Sequence, residues 1–261
     1  MQDLNTLQSL DSSDEGAQAW AIPFADMMTL LLTLFILLLV ILKESEKFVD
    51  RQINLLLQET YEQLDEKIKN ENVSIERVTK GIQITLRGNL FQSMKANVNK
   101  SYIPIIQEIS KIIEDCRLFN IEETEQYSAL MNFLEDRNEE LNVEIRCEGH
   151  TDDAILPPQS DFSNNWELSS ARSLKVVNIM NDASSISEKY FSYNGYGEFR
   201  PLINVSGIDD FQKKKQARAY NRRVEIYLDA FARPKTRSSE AEFVKMLDNK
   251  FKKEEELQLS N

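Results

Sequence analysis

From Trp20 to Leu42 the chain is almost wholly apolar and carries one charged residue, Asp26. A helix rises about 1.5 Å per residue, so this stretch reaches about 34 Å and crosses a hydrocarbon core of about 30 Å. Pro23 lacks an N–H and suits a first turn, so the pattern predicts a helix that begins there. No basic segment precedes the stretch and no Ala-x-Ala-like site follows it, which argues for a retained transmembrane helix over 20–42, not a cleaved signal. Thr29 and Thr33 follow Asp26 at i+3 and i+7, which puts three polar groups on one helical face. A carboxylate in hydrocarbon costs about 2.5–3.5 kcal/mol on insertion scales, and such residues face protein or a water path. A single helix cannot shield that stripe, so partner helices are expected. An acid at membrane depth can alternate between a neutral and a charged state, and so carry a proton or bind another cation. The competing reading leaves Asp26, one turn past Pro23, among the headgroups; the threonines extend the polar face inward and favour the deeper role.

After the apolar run the periodicity changes twice. Glu44 to Asn70 lacks Pro and Gly, and Leu57, Tyr61, Leu64 and Ile68 follow a 4-3-4 spacing, a short heptad seam. Residues 43–72 therefore read as a linker helix, either solvated or paired with a second copy in a homodimer. From Val73 the pattern becomes that of a compact α/β domain over 73–231. Gly81–Gly88 alternates as a strand, Ile103–Cys116 is an amphipathic helix with Pro104 in its first turn, and Ile121–Leu141 is an acidic, helix-prone insertion. Then come a strand over Asn142–Glu148, a helix over Trp166–Asn181, a strand over Tyr190–Tyr196 and a last strand over Arg222–Asp229. The fold class expected is α/β (α+β): one N-terminal transmembrane helix, then a small mixed sheet with helices on one face. The tail over 232–261 is charged, with Phe243, Leu247 and Phe251 at helical spacing.

Charge and cysteine content narrow the function. The 31 Lys and Arg stand against 43 Asp and Glu, a net charge of −12, which argues against a nucleic-acid partner. Two cysteines make no disulfide framework. Cys147 falls among Val143 and Ile145 on the apolar side of its strand, and Cys116 continues the helical stripe of Ile105, Ile109 and Ile112; both read as small core residues, with a Cys116–Cys147 bridge as the alternative. The N-terminal tail, 1–19, has Asp3, Asp11, Asp14 and Glu15 and no Lys or Arg, while Lys43, Lys47 and Arg51 follow the helix. By the positive-inside rule alone the large domain would lie in the cytoplasm. His150 near Asp152 and Asp153 suggests a metal or hydrolytic site, but it is the one histidine of the chain and no second ligand cluster or nucleophile motif accompanies it.

Two stretches carry a family resemblance. Trp20-Ala21-Ile22-Pro23-Phe24-Ala25-Asp26-Met27-Met28-Thr29 is similar to the W-x-x-x-[YF]-A-D-[LM]-[ML]-T segment of MotB-type subunits, the B subunits of ion-driven rotary motors that include flagellar stators and the ZorB subunit of Zorya anti-phage systems. Gly149-His150-Thr151-Asp152, Asn165-Trp166-Glu167-Leu168-Ser169-Ser170-Ala171-Arg172, Gly195-Tyr196-Gly197-Glu198 with Pro201, and Asn221-Arg222-Arg223-Val224-Glu225 resemble, in order, the motifs of the OmpA/MotB peptidoglycan-binding domain. The loop over Ala154–Asn164, with Pro157 and Pro158, resembles the longer MotB-type loop.

The resemblance implies an assignment of roles. Asp26 corresponds to the ion-carrying carboxylate, with Thr29 and Thr33 beside it, and the transported ion is H+ or Na+; Phe24, where many proton-driven members have Tyr, leans toward sodium. Asp152 and Arg172 correspond to the residues that hold the two ends of diaminopimelate in the peptidoglycan stem peptide, with Thr151, Asn165 and Leu168 lining the same groove. A carboxylate suits the ammonium of that zwitterion and a guanidinium forks onto its carboxylate. Asp152 as a turn cap, or Arg172 as a surface charge, are the plainer alternatives, and Asn221, Arg222 and Arg223 are expected to stabilise the fold. The implied partners are a multi-helix A subunit (MotA- or ZorA-like, five copies around two B chains), peptidoglycan and the membrane; the implied location is the bacterial inner membrane, single-pass, with the N-terminus cytoplasmic and the C-terminal domain periplasmic. That orientation opposes the charge rule. Residues 43–72 would contain the plug that blocks the ion path, with Phe48, Val49, Ile53 and Leu56 as its apolar face. No cofactor and no enzymatic activity are expected. A passive tether that only binds the wall, and a peptidoglycan hydrolase, are the competing readings; a tether needs no buried acid, and the hydrolase lacks a catalytic constellation. Flagellar drive and phage defence stay undivided at this level.

Overall fold

The computed structural model describes residues 3–92, 94–119 and 127–235, with backbone alone over 3–19 and at 45–46. Two compact units result, residues 1–51 and 52–261. The first consists of the N-terminal part of helix α1, which runs Asp3–Lys67 and continues into the second unit. Its apolar stretch is long and apolar enough to cross a membrane, and its large side chains from Trp20 to Leu42 are exposed on every side of the helix. The helix does not begin at Pro23, as the missing N–H suggested; Pro23 lies inside it. One absent donor removes one rung of the ladder, while Ala17, Gln18 and Ala19 before it are favourable helix formers.

The second unit is a five-stranded sheet in the order β1-β2-β5-β3-β4. Its strands are β1 (Val73–Val78), β2 (Gly81–Leu86), β3 (Glu139–His150), β4 (Phe191–Gly195) and β5 (Arg223–Pro234). Only β3 and β4 are parallel. Register fixes the two faces. Ile82, Leu228 and Ile145 stand in one cross-strand row and Ile84, Ile226 and Cys147 in the next, all fully buried. Helices α2 (Ile103–Glu114) and α4 (Asn165–Ala183) supply Ile106, Ile109, Ile113, Val176 and Met180 to the core, and the Ser110 hydroxyl donates to the Met180 carbonyl at 2.7 Å to join them. On the opposite face the rows are Gln83, Tyr227, Arg146 and Thr85, Glu225, Glu148. The expected mixed sheet with an apolar helix-bearing face is what the chain forms.

Several boundaries moved. The heptad seam is neither solvated nor free to pair: Leu57, Leu64 and Ile68 are buried within the second unit, as are Ile53 and Leu56. Glu59 of the same segment accepts from Arg117 at 3.1 Å and from the Tyr127 hydroxyl at 3.3 Å. Residues 52–72, expected as linker, thus lie in the compact unit. The acidic helix α3 covers Ser128–Asp136 and stops well before Leu141. Asn138 adopts φ 56°, a left-handed value that ends helices, and Leu141 belongs to β3, where pairing with Ala232 overrides the local helix preference. Strand β1 and helix α5 (Phe211–Asn221) were not expected; β1 is a half-buried edge strand and α5 is mostly polar, so neither shows a strong apolar period. Cys116 and Cys147 are buried thiols that form no bridge, and burial pushes the Cys147 thiol up to about 12. The helix expected around Phe243, Leu247 and Phe251, and residues 120–126 of the insertion, lie outside the described residues.

Candidate functional site

A cleft of about 220 Å³ opens where the C-terminal end of β3, the N-terminal half of α4, the start of β5 and the loop after β2 meet. Close packing of α4 on the sheet makes it. A Cβ at Gly149 would lie 2.1 Å from the Ser169 carbonyl oxygen, and one at Gly195 would lie 2.3 Å from Ser170 Oγ, so only glycine allows α4 to approach β3 and β4 this closely. The entry turn of α4 is capped twice: Asn164 accepts from the Glu167 amide at 2.9 Å, and the Glu167 carboxylate accepts from the Ser163 amide at 2.7 Å. From that fixed start, Asn165, Leu168 and Arg172 fall on one helical face and line the cleft.

Thr151 and Asp152 leave the end of β3 into the same space, so all five residues assigned to wall binding surround one cavity. Asp152 is nearly buried and committed on both oxygens: Oδ1 accepts from the Ala154 amide at 3.3 Å, and Oδ2 pairs with Arg222 Nη1 at 2.6 Å. The turn-capping role is therefore real, and it coexists with an ion pair. Arg172 is not a surface charge; it is 4% exposed. Its Nε donates to the Lys95 carbonyl at 3.1 Å and its guanidinium lies 4.8 Å over the Phe91 ring, so it props up the loop that roofs the cleft. Burial lowers its pKa from 12.5 to about 10, against the opposing pull of Asp152. Asn165 ties the cleft floor by donating to the Ala154 carbonyl at 3.1 Å. The Thr151 hydroxyl is buried without a hydrogen-bond partner among the described residues.

Arg222, expected to stabilise the fold, ties the end of α5 to Asp152 and also lines the cleft. Asn221 and Arg223 do hold the fold: Asn221 bonds both the amide and the carbonyl of Ile203, and Arg223 pairs with Glu225 at 2.6 Å. The signal for Arg222 was its place beside Arg223. Once Arg223 enters the sheet, alternation turns its neighbour to the other side. Residues of the loop after β2, notably Phe91, Gln92 and Met94, were also missed, since that loop reaches α4 only through tertiary packing.

His150 does not join Asp152 and Asp153. Asp153 is held by Arg218 of α5 through two bonds of 2.6 and 2.9 Å. His150 is buried on the polar sheet face, stacked on Tyr196, with Nε2 3.6 Å from Glu225. Burial pushes its pKa down, while the same Glu225 pulls it up. Glu148, His150 and Glu225 are close enough to hold a metal ion. Their carboxylates already serve other partners, however: Glu148 pairs with Arg146, and Glu225 with Arg223 and the Tyr227 hydroxyl. Burial pushes the Glu225 carboxyl up, but His150, Arg223 and the Tyr227 hydroxyl together outweigh it and hold the group down at about 2. The group is built as a neutralised buried network.

In the N-terminal unit Asp26 is exposed on the isolated helix. Thr29 and Thr33 turn their hydroxyls back onto the Asp26 and Leu30 carbonyls, each at 2.8 Å. The threonines thus satisfy their hydroxyls within the helix.

Comparison with known proteins matches two separate stretches of the chain. The family described as membrane MotB of the proton-channel complex MotA/MotB matches residues 8–54, and the OmpA family matches 119–215, together more than half of the chain. Motility protein B of Bacillus subtilis is 27% identical over 177 residues, covering 66% of this chain and 56% of that protein, so the alignment spans little more than half of that relative. Motility protein B of Helicobacter pylori is 22% identical over 276 residues, covering 90% and 93%. The fold is shared with a MotB-like protein from Desulfovibrio vulgaris, 18% identical, with a TM-score of 0.51 over 71% of this chain and 99% of that one. These matches join a MotB-type membrane segment to an OmpA-type domain in one chain, as in a MotB-type B subunit.

Proposed function

We propose that this protein is the wall-anchored B subunit of an ion-driven rotary motor of the flagellar stator type, not an enzyme. It spans the inner membrane once, with the N-terminus in the cytoplasm and the second unit on the wall side. The observation that carries the anchoring half is the convergence of Asp152, Arg172, Thr151, Asn165 and Leu168 on one cleft. An acid and a buried guanidinium suit a ligand with an ammonium and a carboxylate, as in the diaminopimelyl end of a peptidoglycan stem peptide. The driving half rests on Asp26, the one charge in the apolar run, whose carboxylate meets a partner in a multi-helix A subunit. Five A chains around two B chains is the assembly carried over from the family. Proton or sodium binding neutralises Asp26, release restores its charge, and each elementary charge crossing about 100 mV supplies roughly 2.3 kcal/mol. The wall contact supplies the counter-torque.

Three experiments bear on this. Asp26→Asn in the co-expressed complex is expected to abolish ion flux while leaving co-purification with the A subunit intact; flux retained in that variant rejects the mechanism. Co-sedimentation of the purified chain with peptidoglycan is expected for the wild type and lost in Asp152→Ala. Replacing sodium with potassium at fixed pH, with flux as the readout, assigns the ion.

A further inference from the structure

Resting on the wall-binding reading above, we propose that the Arg222–Asp152 ion pair is a latch that makes the cleft select a zwitterionic terminus over a simple ammonium. Arg222 thereby becomes a specificity-determining residue of the site. Asp152 is the acid expected to take the ligand's ammonium, yet it is already engaged: Arg222 Nη1 holds Oδ2 at 2.6 Å and the Ala154 amide reaches Oδ1 at 3.3 Å. With its side chain 14% exposed, Asp152 has little water to fall back on, whereas Arg222 is 39% exposed. Arg172 contributes a second positive charge to the same lining, and its Nε is spent on the Lys95 carbonyl under the roof loop. The cleft therefore holds two guanidinium groups and one carboxylate, an excess of one positive charge.

A ligand that brings only an ammonium adds a third positive charge to a lining whose single carboxylate already answers two guanidinium groups. A ligand that brings a carboxylate beside the ammonium exchanges partners: its carboxylate takes the place of Asp152 on Arg222, and its ammonium takes the place of Arg222 on Asp152. Each charge stays paired, and the excess positive charge favours the incoming anion. Selection then comes from a penalty on the wrong ligand as well as from contact with the right one. Arg222 comes from the end of α5 and Arg172 from α4, so the two cations are positioned by separate elements.

The experiment compares co-sedimentation of the full-length chain in detergent with two sacculi preparations, one whose stem peptides carry meso-diaminopimelate and one whose stem peptides carry L-lysine. Wild type is expected to prefer the diaminopimelate preparation by at least about tenfold in apparent affinity. Arg222→Gln is expected to bring the two within about threefold of each other, through weaker binding to the first and unchanged or tighter binding to the second. A preference kept in Arg222→Gln, or no preference in wild type, overturns the latch. Because both sacculi are offered to the same sample, a partly unfolded variant lowers both values and leaves their ratio readable; Arg222→Lys, which keeps the charge but not the fork, is expected to fall between. Wild type binding to neither preparation sinks the wall-binding reading itself.

Discussion

Arg172→Met separates what the cleft does from what holds the fold. The guanidinium is 4% exposed, and the fall of its pKa from 12.5 to about 10 corresponds to a cost of about 3 kcal/mol for keeping the charge there, at 1.36 kcal/mol for each tenfold change. Against this stand the bond to the Lys95 carbonyl at 3.1 Å, the marginal one to Gln92 at 3.5 Å and the stacking over Phe91. A bond from a charged donor contributes roughly 1.5–3 kcal/mol and a partly desolvated cation–π contact about 1 kcal/mol, so the gains and the cost nearly cancel. Methionine fills a similar volume without the charge. The expected result is a stability change within about 1 kcal/mol, in either direction, by urea denaturation of a fragment beginning at Gln52, together with at least a tenfold loss of peptidoglycan binding. A loss of more than about 3 kcal/mol would mean that Arg172 is a structural strut first, and full binding in the variant would mean that the buried charge is not a ligand contact; either refutes the reasoning.

Gly149→Ala places a Cβ against the Ser169 carbonyl, so α4 must shift; a loss of 3 kcal/mol or more by the same denaturation assay is expected, with loss of peptidoglycan binding. Asn164→Ala removes the α4 cap and costs about 1 kcal/mol, while Asn164→Asp retains it. Acidification destabilises the second unit through Glu225: its folded carboxyl sits at about 2 against an ordinary 4.5, so the stability it contributes is present above about pH 4.5 and is lost as the pH falls toward 2. His150 acts in the same direction at higher pH, because burial lowers its pKa and it must charge on unfolding; Glu225→Gln is expected to flatten the acid limb of a urea-midpoint profile taken between pH 2 and 5.

The membrane helix, four of the five strands and five cleft residues were legible in the sequence because each is announced locally. An apolar run needs no partner to be recognised, strand alternation marks Ile82, Ile84, Ile226 and Leu228 as core, and the ordered motifs bring Asp152 and Arg172 to notice without any distance being known. Tertiary packing alone decided the rest. Whether Leu57 and Leu64 meet water, another chain or their own domain depends on surfaces far away in sequence. Leu141 leaves a helix-prone segment because β5 offers a partner strand. Arg222 and Arg223 look alike in the chain, yet one enters the sheet beside Glu225 and the other closes on Asp152 70 residues earlier, since alternation sends neighbouring side chains to opposite faces and only the assembled sheet says what each face meets.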